Sequence, residues 1–223
     1  MTAVPESAGY RGRNRVASAE AVGAPDELFT LADRSAASER IIVGYGFWIF
    51  LLSDIVMFSA FFATFAVLRD ATAGGPSGRD LFNLTSVAME TACLLISSFT
   101  CGVAAIGARA HNDRLYYGGM IVTCLFGLGF LFLEAHEFGG LIAQGFGPTH
   151  SAFLSAFFSL VGLHGGHVTL GELWLLTMIA QVFAKGYRPD ILRRVLCFSL
   201  FWHTLDIIWV AIFTVVYLMA FTS

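Results

Sequence analysis

Six side chains able to carry protons or hold a metal lie inside long apolar stretches of this chain: Asp54, Glu90, His164, His167, His203 and Asp206. A polar group in hydrocarbon is costly, so such residues face a protein partner, a cavity or a proton path. His164 and His167 are three apart and share one helical face, with Glu172 further along. Two imidazoles at that spacing suit metal ligation if other segments supply further ligands. His203 and Asp206 also share a face, and a carboxylate beside an imidazole can fix its tautomer and raise its basicity. The competing reading of these histidines is an interhelical polar network that fixes packing. Asp54 lies deep in its segment, as a proton-linked or lipid-gated site or as a neutral acid bonded to a neighbouring helix. Glu90 has the hydroxyls of Thr91, Ser97 and Ser98 nearby and reads as an interhelical hydrogen bond or as part of the same chemistry. Glu134 and Glu137 flank His136 where a third apolar segment ends. That acidic cluster is expected to be solvated, bonded to loops or paired with a partner.

The elements that position these residues follow from composition. The chain is 57% hydrophobic and 13% charged, about half the charge of an ordinary soluble domain. About 20 apolar residues cross a bilayer as a helix, and five stretches reach that length: about 43–68, 84–108, 116–135, 152–183 and 195–220. The expected fold class is all-α, a polytopic membrane protein with a bundle of five transmembrane helices over residues 41–223. Residues 1–40 are small, polar and charged and read as a largely disordered cytoplasmic tail. Arg11, Arg13, Arg15, Arg34, Arg40, Arg109, Arg114, Lys185, Arg188, Arg193 and Arg194 fall on one side of the spans, and Arg69 and Arg79 on the other. This asymmetry places the N-terminus inside and the C-terminus outside.

Other patterns exclude function classes. Cys93, Cys101, Cys124 and Cys197 lie in apolar segments without CxxC spacing, so neither a zinc knuckle nor a dithiol redox motif is indicated. The basic residues are scattered and form no nucleic-acid groove. Five spans do not divide into equal inverted halves, against a repeat-built transporter. Gly102, Gly107, Gly118, Gly119, Gly127 and Gly129 are candidate positions of close helix approach. Ala73-Gly74-Gly75-Pro76-Ser77-Gly78 and, in the later loop, Gly145, Gly147 and Pro148 read as turns.

Four segments together carry a family resemblance: Gly46-Phe47-Trp48 with Ser53-Asp54 through Phe62, then Gly74-Gly75-Pro76, Phe153 through His164-Gly-Gly-His167-Val168, and Trp202-His203-Thr204-Leu205-Asp206-Ile207-Ile208-Trp209. Over about residues 44–219 the chain resembles subunit III of the haem-copper respiratory oxidases, in the five-span form of bacterial cytochrome o ubiquinol oxidase. The resemblance implies a chain without haem, copper or quinol of its own, packed directly on subunit I, beside subunits II and IV, around a cleft holding structural phospholipid. Haem and copper would belong to subunit I. The implied role is non-redox: stabilising subunit I and supporting proton uptake in a bacterial inner membrane, while the complex oxidises ubiquinol, reduces oxygen to water and pumps protons. The seven-span members of the family have Glu at the position of Asp54, linked to proton entry and carbodiimide reactivity. Asp keeps that charge chemistry with a shorter reach. Glu90 is similar to a feature of the quinol branch. The alternatives are subunit III of a cytochrome c oxidase, a self-contained membrane metalloenzyme built on the histidines, and a proton-coupled carrier using Asp54 and Glu90.

Overall fold

The computed structural model describes the backbone of residues 25–74, 81 and 83–222, and within these the side chains from Ile41 to Ala220. The segment read as a tail lies outside the described residues as far as 24; from Pro25 the backbone is helical. Of the first turn motif, Ala73 and Gly74 have positive φ (52° and 77°), and 75–80 lie outside the described residues.

The helices are α1 (Pro25–Leu68), α2 (Leu84–Arg109), α3 (Asp113–Ala143), α4 (Ala152–Lys185) and α5 (Pro189–Ile212). A π-helical stretch, Phe213–Leu218, and a last turn, Met219–Thr222, follow α5. Among the described residues five segments are long and apolar enough to cross a membrane: Ile41–Leu68, Leu84–Arg109, Asp113–Ala143, Ala152–Lys185 and Pro189–Leu218. This is an all-α polytopic membrane fold.

Short polar residues start these helices by satisfying free N–H groups. Asn83 Oδ1 accepts from Thr85 N at 3.1 Å, Asn112 Oδ1 from Arg114 N at 3.1 Å, and Ser151 Oγ from Leu154 N at 3.2 Å. Gly186, at φ +70°, ends α4, and Pro189 opens α5 with its fixed φ. That proline and Asp190 in the first turn start α5 six residues before the apolar run at Val195 (195 − 189 = 6). The Tyr187 phenol donates to Asp113 Oδ1 at 2.7 Å and ties the α4–α5 turn to the start of α3. Burial, and then that bond, push the Tyr187 phenol above its ordinary value.

Short turns make α2, α3, α4 and α5 run alternately up and down, and each packs on the next, with α5 closing on α2. The α2–α3 seam is tightest. A Cβ on Gly119 would stand 2.8 Å from Ala104 Cβ, and one on Gly107 would stand 2.7 Å from Tyr116 N. In lipid there is no hydrophobic drive between helices, so close backbone approach and buried hydrogen bonds hold the seam. Thr123 Oγ1 supplies one such bond, 2.8 Å from Thr100 Oγ1.

Helix α1 meets this ring through α4. Leu51, Phe58 and Phe65, spaced by seven, are its buried side chains among the described residues. Phe47 packs edge-on to Trp174 (5.8 Å), Phe58 stands by His167 (5.3 Å) and Phe65 by Phe153 (5.9 Å). Phe47, Met57, Phe61, Phe62 and Leu68 are half-buried beside them, and Ile49, Phe50 and Val56 are exposed. Against lipid that is the ordinary arrangement.

Candidate functional site

The interior of the ring is polar where the sequence pattern is polar, but the groups fall into separate sets. Glu90 of α2 and Glu134 of α3 are buried, at 0% and 5% exposure, and Glu137 is half-buried beside them. The three carboxyls act on one another electrostatically, and the Tyr217 phenol reaches Glu137. Both Glu90 oxygens are without a hydrogen-bond partner among the described residues. The expectation that the acidic cluster is solvated fails for Glu134. Helix α3 continues to Ala143 rather than ending near 135, so Glu134 projects sideways into the bundle instead of out of its end.

The π-helical stretch places Tyr217 there. One extra residue in a helix rotates the later side chains by about 100°. The turn thereby brings Tyr217 under Trp209, ring centroids 6.3 Å apart, and both are fully buried.

His164 sits at the centre of the ring, 0% exposed. Its Nε2 donates to the Leu205 carbonyl at 3.2 Å. Its ring is walled by Trp209 (5.1 Å) and Phe130 (5.6 Å). His167 donates from Nδ1 to the Leu163 carbonyl at 2.8 Å, on the α1 side of α4. The two imidazoles therefore serve different carbonyls instead of converging. Among the described residues no three His, Cys, Asp or Glu are placed to hold one metal ion.

Asp206 does not reach His164. It lies beside the Ser98 hydroxyl and within electrostatic range of His203. His203 donates from Nδ1 to the Ser199 carbonyl at 2.7 Å and is exposed. Asp54 is half-buried on the stripe between Leu51 and Phe58, and the described hydrogen bonds do not include it. The six residues thus occupy four places: the acidic cluster, the central imidazole, the α1–α4 seam and the α2–α5 groove. The described ion pairs, Arg69–Asp70 and Arg188–Asp190, are on exposed side chains at helix ends.

The sequence reading named Glu172 only as lying further along the His164–His167 face; it is 4% exposed. Its carboxyl lies beside the Cys124 thiol and is in direct contact with the place a Cβ on Gly127 would take. Glu134 does the same to Gly165, 2.5 Å from each oxygen. In each helix the glycine and glutamate are seven residues apart (134 − 127 = 172 − 165 = 7). That repeated spacing is the signal that could have found the pair. Two tryptophans also tie α5 to α2: Trp202 Nε1 donates to Ser97 Oγ and Trp209 Nε1 to Thr91 Oγ1, both at 3.1 Å.

This arrangement fixes helix positions by hydrogen bonds and close approach. Comparison with known proteins agrees with its segments. Residues 31–221 match the family model described as cytochrome c oxidase subunit III. The chain is 51% identical over 175 residues to cytochrome bo(3) ubiquinol oxidase subunit 3 of Pseudomonas aeruginosa, covering 78% of this chain and 84% of that one. It is 44% identical over 174 residues to quinol oxidase subunit 3 of Bacillus subtilis (78% and 85%). It is 43% identical over 198 residues to cytochrome c oxidase subunit 3 of Bacillus sp. strain PS3 (86% and 94%).

Proposed function

The chain belongs to the cytochrome c oxidase subunit III family of the haem-copper oxidases, and from that premise we propose that it is the non-redox accessory subunit III of a cytochrome o-type ubiquinol oxidase. In this reading it packs on subunit I, beside subunits II and IV, in a bacterial inner membrane. It stabilises subunit I and supports proton uptake while the complex oxidises ubiquinol, reduces oxygen to water and pumps protons. Haem and copper are held by subunit I. The orientation is N-terminus inside, from the Arg and Lys asymmetry.

The observation that carries the reading is the 51% identity to a ubiquinol oxidase subunit 3. The interior supports it physically. Its histidines are turned to separate backbone carbonyls, which suits a scaffold better than a reaction centre. The hydrogen bonds between helices, Thr100–Thr123, His164–Leu205, Trp202–Ser97 and Trp209–Thr91, hold the bundle in one packing, and a rigid bundle is what a supporting subunit needs. Asp54, mid-span on the α1 stripe that faces α4, is the group we assign to proton supply. Asp54→Asn is expected to leave the first turnovers intact and to lower the pumped proton yield over many. An unchanged yield and unchanged inactivation over turnover would remove that assignment.

The 43% identity to a cytochrome c oxidase subunit 3, over more of the chain, favours a second reading with another electron donor. Mass spectrometry of the complex purified in mild detergent from native membranes separates the two. Recovery with a large haem-binding subunit and a quinol-type subunit II is the expected result. A cytochrome c-type subunit II would change the donor, and recovery as a lone monodisperse chain would overturn the accessory role.

A further inference from the structure

We propose that the groove between α2 and α5 around His203 and Asp206 is the docking face for a transmembrane helix of another subunit, one that presents a hydrogen-bond donor to His203 Nε2. The proposal rests on the accessory-subunit reading and names the surface and the chemistry of contact.

The hydroxyls on the exposed faces of the spans have already given their protons to their own helix and keep only a hydroxyl oxygen as acceptor. Ser53, Ser59, Thr64, Thr177 and Thr214 each donate to a carbonyl three or four residues back on their own helix. His203 differs. It is exposed midway along the span Pro189–Leu218. Its Nδ1 proton is given to Ser199, so the neutral ring presents Nε2 as an acceptor. That nitrogen lies over Gly102, 3.7 Å from where a Cβ would stand. One turn on, half-buried Asp206 is turned inward beside the Ser98 hydroxyl, and its Oδ1 is not accessible from outside the chain. One imidazole acceptor, His203 Nε2, therefore faces the groove at mid-bilayer depth.

The occupant follows from depth and chemistry. Mid-span is about 15 Å from either edge of the hydrocarbon, beyond the reach of headgroups. Acyl chains carry no donor, and an unmet polar group there costs several kcal/mol. Only a spanning element can bring an N–H or O–H to that depth with its own backbone satisfied. The floor of the groove is Gly102 and Ser98, small enough for a helix to approach closely. Exposed Phe99 and Ile207 flank it as apolar walls.

The test is photo-crosslinking in the whole complex in native membranes. A benzophenone amino acid is placed at Ile207, and as a control at Phe132, exposed on α3 diagonally across the ring. The expected result is a crosslink from position 207, and not from 132, to a membrane-spanning peptide of another oxidase subunit. His203→Phe should lower its yield roughly tenfold, the effect of losing one interhelical hydrogen bond in lipid. Gly102→Leu should lower it further by filling the floor. Crosslinks to lipid alone from 207 in an intact complex would overturn the docking face and leave the accessory reading standing. Labelling of the groove by an azidoquinone probe would overturn it in favour of a quinone site. A chain that purifies without any haem-binding subunit would overturn both.

Discussion

Gly165→Leu is expected to prevent α3 and α4 from closing, leaving little of the chain in the assembled complex. The reason is a reciprocal contact. The Glu134 carboxyl of α3 fills the gap left by Gly165 of α4, and the Glu172 carboxyl of α4 fills the gap left by Gly127 of α3. The two helices are antiparallel, so equal seven-residue spacings make the two contacts an approximate twofold pair along one seam. Even one methyl at 165 would stand 2.5 Å from both Glu134 oxygens. Gly165→Ala should cost about 1–3 kcal/mol, the usual range for overpacking, and Leu more, because the backbones must part. The contact is specific, so it can be relieved. Glu134→Ala placed in the Gly165→Ala chain should restore about 1–2 kcal/mol in a double-mutant cycle. The SDS fraction at half-unfolding of the purified chain is the measurement. Strict additivity of the two substitutions would show that Glu134 is not what occupies the gap.

How far this was legible varies with the physics involved. The five spans are readable because a run of about 20 apolar residues has few other fates. The end of α3 was not, because Glu134, Glu137, Gly139 and Gly140 look like a helix leaving the membrane. A buried acid and an interfacial acid have the same letter; which one is present depends on what the facing helices offer. The glycine reading was right for Gly107, Gly119 and Gly127, while Gly118 meets open space and Gly165 and Gly171 were missed. Close approach is a property of two helices in register, and one helix does not contain that register.

The site residues show the same limit. Spacing of three correctly put His203 and Asp206 on one side of α5, yet Asp206 settles on Ser98 of α2. His164 and His167 share a spacing that suits a metal, but each ring turns to a carbonyl, His164 to α5 and His167 back to its own helix. Side-chain rotation, set by the Phe58, Phe130 and Trp209 walls, decides between ligand and brace. A pattern of letters carries no information on that rotation.

Trp209→Ala should be the most damaging truncation on α5, and Trp209→Phe should be mild. The indole is fully buried. It stands against Phe130 (4.6 Å), His164 (5.1 Å) and Tyr217 (6.3 Å), so its removal loosens contacts with α3, α4 and the π-helical turn together. Cutting a large aromatic to Ala in a packed core costs about 3–5 kcal/mol. In lipid the transfer part of that cost falls away, since the tails are as apolar as the core. What remains is lost packing, which places the expected loss near the low end, about 3 kcal/mol. The hydrogen bond to Thr91 contributes less. Thr91 Oγ1 donates to the Val87 carbonyl at 2.8 Å whether or not the indole is present, so Phe at 209 strands no donor. Its expected cost is about 1 kcal/mol. Half-unfolding in SDS, followed by far-ultraviolet circular dichroism, should rank wild type above the Phe variant and the Phe variant well above Ala. If Phe and Ala fall together, the Nε1–Thr91 bond holds α5 to α2, and the packing of the central aromatic rings does not.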